Sequence, residues 1–213
     1  MINFKHLFAK LVETSPPLIG NVLETLLLIK NKSFSQPPKY IRKWIFQKYL
    51  LQCHIIYESG TYLGKSTVIF AKAGASVIST EPNLALFRRA QQKFKKKANV
   101  NILNNKSEDV LDDVLSAIDG SPSVGFWLDG HFSDDNVALD TGDAPLISEL
   151  TQIIKHHDQF KSTTILIDDV RYMTNLMKRN YGYPDLNEII SILIHAGYEI
   201  YIHFNILIAR RVK

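Results

Sequence analysis

From Cys53 onward the chain alternates short apolar runs with helix-forming stretches. The runs are "HIIYE", "SVISTE", "NVNILN", "SVGFWLD" and "STTILIDD". The stretches between and after them are "GKSTVIFAKAG", "PNLALFRRAQQKFKKK", "SEDVLDDVLSAI", "LISELTQIIKHH" and "PDLNEIISILIHAG". Strands that alternate with helices predict a parallel sheet with helices on both faces. Two further runs, "YEIYIH" and "NILIARR", follow with almost nothing between them. So short a gap fits only an antiparallel hairpin. The expected fold is therefore α/β: a Rossmann-like, doubly wound, mostly parallel seven-stranded sheet closed by a C-terminal hairpin.

Local signals agree with this division. Pro82 opens one helix and lysines close it, as helix ends prefer. Ser107 stands where a helix cap is expected. Before residue 50 the pattern is helical and amphipathic, broken at Ser15-Pro16-Pro17 and at "SFSQPPK". We read residues 1–50 as an N-terminal helical segment, a candidate pocket cover or homodimer contact, and 51–213 as one domain. With 213 residues, 46% of them hydrophobic, the chain can bury one core. Its longest apolar region, Ile189 to Ala209, is interrupted by His195, Gly197, Glu199, His203 and Asn205 and is not a membrane span. The single cysteine, Cys53, excludes an internal disulfide and a thiolate zinc site and reads as a buried structural thiol. The opening stretch "MINFKHLFAKLVETSPP" has no long apolar core and no small-residue cleavage site, so a cytoplasmic location is expected.

Sheets of this kind bind ligands outside the carboxyl ends of their strands. Those ends read Glu58, Glu81, Asn104, Asp129 and Asp168-Asp169. After the first strand comes Glu58-x-Gly60-x-x-x-Gly64. Glycines there let the backbone turn tightly and approach a ligand. A dinucleotide-binding turn would place its first glycine where Glu58 stands. A carboxylate at that point repels a pyrophosphate but suits a cationic ligand such as S-adenosylmethionine. Glu81 follows 21 residues after Gly60, where an acid accepts hydrogen bonds from ribose hydroxyls. The same glycines also suit a plain strand-to-helix turn.

Taken together, Glu58-x-Gly60-x-x-x-Gly64, Glu81 and the closing hairpin resemble a class I S-adenosylmethionine-dependent methyltransferase, over roughly residues 50 to 209. The resemblance implies a methionine site at the glycine turn, a ribose contact at Glu81, and an adenine contact among Asn105, Lys106, Ser107 and Glu108, with Ser107 preferred. The expected cofactor-binding set is Glu58, Gly60, Thr61, Tyr62, Gly64, Ser66, Glu81, Ser107 and Asp129.

A second cluster lies at the ends of strands four and five, "FWLDGHFSDD" and "LIDDVRY". Neighbouring strand ends lie about 5 Å apart, so Asp129, Asp168 and Asp169 can converge. Three carboxylates repel unless a cation sits among them, and an all-oxygen set suits Mg²⁺. They can equally cap helices or pair with Arg171. The "WLDG" and "IDD" segments resemble the macrocin-type O-methyltransferases, which implies that these three aspartates hold Mg²⁺ and that the metal holds two acceptor hydroxyls. His131, two residues past Asp129, is a candidate base, and we count it with Asp129 as catalytic. A loop histidine bonded to backbone explains it as well. Tyr172, Tyr181 and Tyr183 can line an acceptor pocket or simply pack.

The function expected is methyl transfer from S-adenosylmethionine to a small hydroxylated acceptor, sugar-like or phenolic, assisted by Mg²⁺. The alternatives are an NAD-dependent oxidoreductase, which Glu58 disfavours, and a non-catalytic nucleoside-binding module. The formal charge of +4 gathers in "KYIRKW" and "RRAQQKFKKK". Such runs are usually solvated helix faces, and these fall away from the strand ends, so neither a nucleic-acid nor a membrane partner is expected.

Overall fold

The computed structural model describes residues 38–129, 145–173 and 183–212. In chain order they form α1 (Lys39–Tyr49), β1 (Ile55–Ser59), α2 (Lys65–Lys72), β2 (Ser76–Thr80), α3 (Leu84–Phe94), β3 (Val100–Leu103) and α4 (Ser107–Ser116). Then come β4 (Ser123–Leu128), α5 (Leu146–His156), β5 (Ser162–Ile167), α6 (Leu186–His195), β6 (Glu199–His203) and β7 (Ile206–Val212). Five strands are separated by helical stretches and a hairpin ends the chain, as the alternation predicts.

The seven strands lie in the order β3-β2-β1-β4-β5-β7-β6. The first five are parallel, and β7 runs antiparallel to both β5 and β6. The chain winds outward one way from β1 through β2 to β3, then returns to β4 on the other side. That reversal puts the carboxyl ends of β1 and β4 side by side at the switch point, where such sheets bind ligands. Ser59 stands opposite Leu128 there.

Alternation along the strands assigns the two faces. Tyr57, Val124, Phe126, Leu128, Ile165 and Ile167 pack against α4, α5 and α6. Ile56, Val77, Trp127, Leu166 and Ile208 turn the other way, against α1 and α2. Helix α3 completes that second layer, packing Ala90 and Phe94 on Ile102 with Val68 of α2 beside them. Residues buried on both faces explain why the central runs read as continuous apolar stretches.

Helix α1 lies within the segment read as preceding the domain, yet it is part of this layer. Ile45, Phe46, Tyr49 and Leu50 are all buried, and the Phe46 ring meets Trp127 at 4.8 Å and Phe70 at 4.9 Å. Gly125 in β4 permits the contact, because a Cβ there would fall 2.8 Å from Leu50 Cδ2. This helix therefore sits firmly enough to deliver a side chain to the sheet's binding edge. Among the described residues, no helix is long and apolar enough to cross a membrane. Cys53 is buried, and burial pushes its thiol up to about 11, as a structural thiol requires.

Candidate functional site

The glycine turn leaves β1 as a tight, left-handed excursion. Gly60, Tyr62 and Gly64 all have positive φ, at 91°, 47° and 65°. Gly64 opens α2, and a Cβ there would lie 2.7 Å from the Phe94 ring. Gly64→Ala therefore combines backbone strain with a clash against a buried ring. It is expected to cost about 2–4 kcal/mol, read as a lower urea midpoint at unchanged m. Thr61 pins the turn to the next strand: its N–H donates to Thr80 O at 2.8 Å, and its hydroxyl shares a hydrogen bond with Ser79 at 2.6 Å.

Glu58 is fully buried, and its carboxylate points into the turn's own scaffold. One oxygen accepts from the Ser66 hydroxyl; the other accepts from Thr67 at 2.6 Å and Ser79 at 2.7 Å. Burial raises this carboxyl above the usual range, and the three hydroxyls work against that. Glu58 thus ties β1, α2 and β2 together. Ser66, expected among the cofactor contacts, spends its hydroxyl on Glu58.

Glu81 ends β2 directly beside the turn. Its carboxylate accepts from the Tyr62 N–H at 2.8 Å and the Asn83 N–H at 3.0 Å. A carboxylate has about four lone-pair sites, so two remain for a ligand. Tyr62 itself is 45% exposed at the rim. Thr61, Tyr62 and Glu81 are therefore brought together, as the spacing predicts.

Ser107 is not the cap of α4. Lys106 holds that position, and Ser107 is the first helical residue, buried and sharing a 2.9 Å hydrogen bond with the Tyr57 hydroxyl. Tyr57 accordingly faces the core, not the rim. A residue the sequence reading missed closes this corner. Glu149 of α5 is buried and accepts from Ser59 at 2.6 Å, and burial raises its carboxyl. The signal was available, since Glu149 interrupts the apolar stripe Leu146, Leu150, Ile153.

The three aspartates part company. Asp168 is buried; one oxygen accepts from the Asp169 N–H at 2.9 Å and the other meets the Arg42 guanidinium at 2.9 Å. Asp169 takes a left-handed conformation, φ 58°, which carries its carboxylate to Asn205 Nδ2 at 2.9 Å and Arg171 at 3.3 Å. Asn205, in the β6–β7 turn, also accepts from the Arg171 N–H at 2.9 Å, clamping the hairpin to the exit of β5. Asp129, half-buried, sits near enough to both that they help burial hold its carboxyl well above the ordinary range, opposed by Arg42. The same balance of burial against Arg42 brings Asp168 up to about 6.

These contacts do not support the expected magnesium site. Among the described residues, no three acids or histidines are arranged to hold a metal ion. Asp168 already spends its oxygens on a guanidinium and a backbone N–H, and Asp169 is turned aside. As placed, this donor set does not fit Mg²⁺; the cations set against it are Arg42 on Asp168 and Arg171 on Asp169. Tyr183 is buried near the carboxylates and stacks on Tyr172 at 5.6 Å, so two of the three candidate pocket tyrosines do lie together. His131 and Tyr181 fall outside the described residues.

No family model matches the chain, and no curated protein does either. Solved structures do match. A methyltransferase from Podospora anserina, bound to S-adenosylhomocysteine, superposes at a TM-score of 0.54 with 15% identity over 84% of this chain and 80% of its own. A methyltransferase from Geobacter sulfurreducens gives 0.53 and 11%, covering 100% of this chain and 98% of its own. A candidate rRNA methylase from Clostridium thermocellum gives 0.55 and 8%, over 82% and 96%. The chain has the Rossmann-like methyltransferase fold. Within that fold the glycine turn, Glu81 and the Asp129 edge occupy one end of the sheet.

Proposed function

We propose that this protein is an S-adenosylmethionine-dependent methyltransferase acting on a small hydroxylated acceptor, sugar-like or phenolic. The observation that carries the reading is the pairing of Tyr62 N–H with Glu81 across the glycine turn. It presents a preorganised carboxylate at the place where a nucleoside's ribose hydroxyls would sit. The fold shared with methyltransferases supports the same reading.

The chemistry is an in-line displacement of the methyl group from sulfonium to acceptor oxygen. The sulfur leaves with the electron pair of the broken bond, and the acceptor gives up a proton. What the protein supplies is orientation and desolvation. Asp129 has a carboxyl held above its ordinary range beside Tyr183, the property of a group able to take a proton. His131 is the other candidate base. Magnesium has no part in this reading; the cation paired with Asp168 in the cleft is Arg42. A cytoplasmic location belongs to the same proposal.

The test is titration calorimetry with S-adenosylhomocysteine and, separately, NAD. Micromolar binding of the first and none of the second is expected. NAD binding alone would transfer the protein to the oxidoreductases. Binding of S-adenosylhomocysteine without turnover on any sugar or phenol would favour the non-catalytic module.

A further inference from the structure

The molecule is electrically two-faced. Between Pro38 and Lys106 the chain has thirteen lysines and arginines but only two acids, Glu58 and Glu81, and both acids are buried. These residues build the α1, α2, α3 layer. From Ser107 to Asp129 there are six acids and no lysine or arginine, and four of the six, Glu108, Asp109, Asp112 and Asp113, are on α4 in the opposite layer. The two basic runs that look separate in the sequence are therefore parts of one sheet face.

The charge is densest on α3 and the turn that follows it. Arg88, Arg89, Lys95, Lys96 and Lys97 are exposed, and none has an ion-pair partner among the described residues. Lys93 donates to the carbonyls of Leu63 and Gly64 at 2.7 and 3.0 Å, so the cationic strip reaches the glycine turn. Burial, then Arg89 and Lys65 nearby, lowers the Lys93 ammonium, as crowded like charges should. Beside the strip, against the free edge of β3, lies a hollow of about 530 Å³ lined by six polar or charged residues, among them Arg88, Gln91, Lys95 and Asn101, and by the apolar Phe94, Val100 and Ile102, none of which is exposed.

We infer that this α3–β3 face docks a nucleic acid, with the cations on phosphates and the amides of the hollow on sugar or base edges. The alternative polyanion, an acidic membrane surface, calls for apolar side chains among the cations to enter the lipid. The only large exposed apolar residue on α3 is Leu84, at the helix start, and the cationic turns carry glutamines instead. Fixed donors and planar amides beside unpaired cations are the chemistry of phosphate and base contact. This reverses the expectation drawn from the basic runs alone, which treated them as separate solvated faces. It does not depend on the methyl-transfer reading and concerns binding only.

Fluorescence anisotropy tests it on the full chain, with a labelled 20-nucleotide RNA, a 20-base-pair DNA and vesicles of phosphatidylserine and phosphatidylcholine. Micromolar or tighter binding to an oligonucleotide is expected, weakening between 50 and 200 mM salt roughly 50-fold for the single-stranded RNA or roughly 150-fold for the duplex DNA, for about four phosphate contacts. The triple variant Arg88→Glu, Lys95→Glu, Lys97→Glu should lose at least tenfold while keeping its melting temperature. A variant of equal charge change, Lys43→Glu, Lys48→Glu, Lys72→Glu, should lose far less. Equal losses in the two variants would show net charge rather than this face at work and overturn the proposal. So would binding to vesicles but to neither oligonucleotide, or no binding to any of the three.

Discussion

Glu81→Ala should weaken S-adenosylhomocysteine binding about 100-fold in titration calorimetry, with little change in melting temperature. The size follows from what the carboxylate has left to give. Two of its lone-pair sites serve the Tyr62 and Asn83 N–H groups, which leaves two for a ribose diol. Hydrogen bonds to a charged group contribute about 1.5–3 kcal/mol each, so losing two, at the lower value, costs about two decades in affinity. Stability should hold because those N–H groups are only part-buried and water can replace the acceptor. Glu81→Gln should recover part of the affinity, since one oxygen remains. Unchanged binding in Glu81→Ala would mean that the ligand does not meet this edge of β2, and the assignment of the turn would fall with it.

Glu81 was legible in the sequence because its place depends on local quantities. The strand pattern, the glycines and a spacing put it at the end of β2 beside the turn. The sheet was legible for the same reason: buried parallel strands read as apolar runs, and the helices between them have ordinary ends. The acid cluster was legible only down to the backbone. Strand ends five ångströms apart do bring the Asp129, Asp168 and Asp169 main chains together. Which way a carboxylate then points depends on φ and on partners distant in sequence. Asp169 adopts a left-handed conformation and turns to Asn205, a residue of the far hairpin. Arg42 enters from α1, in a run that reads as a solvated basic face. No periodicity encodes a pair between the first described helix and the fifth strand. Glu149 is the intermediate case, an acid on an apolar stripe that marked itself without naming its partner Ser59.

Arg42→Ala should lower stability by about 2–4 kcal/mol at pH 8 and by much less at pH 5. Removing one partner of a buried pair leaves an uncompensated charge, typically a cost of about 3–5 kcal/mol. The guanidinium is 32% exposed, so the lower part of that range applies, whereas the Asp168 side chain is only 3% exposed. The pH dependence follows from the proton on Asp168. Its folded value of about 6 lies above the ordinary 3.8, so the stability its proton contributes is full below pH 4 and lost as pH rises through 6. Without Arg42 the folded value climbs further, because the strongest opponent of burial is gone and only the Asp169 N–H and the more distant Arg171 remain. The variant therefore departs most from wild type where Asp168 must ionise and least where it stays protonated. Arg42 also lies over the Trp127 ring, 5.7 Å from its centroid. Equal losses at pH 5 and pH 8 would therefore mean that the side chain acts by packing on Trp127 and not through its charge.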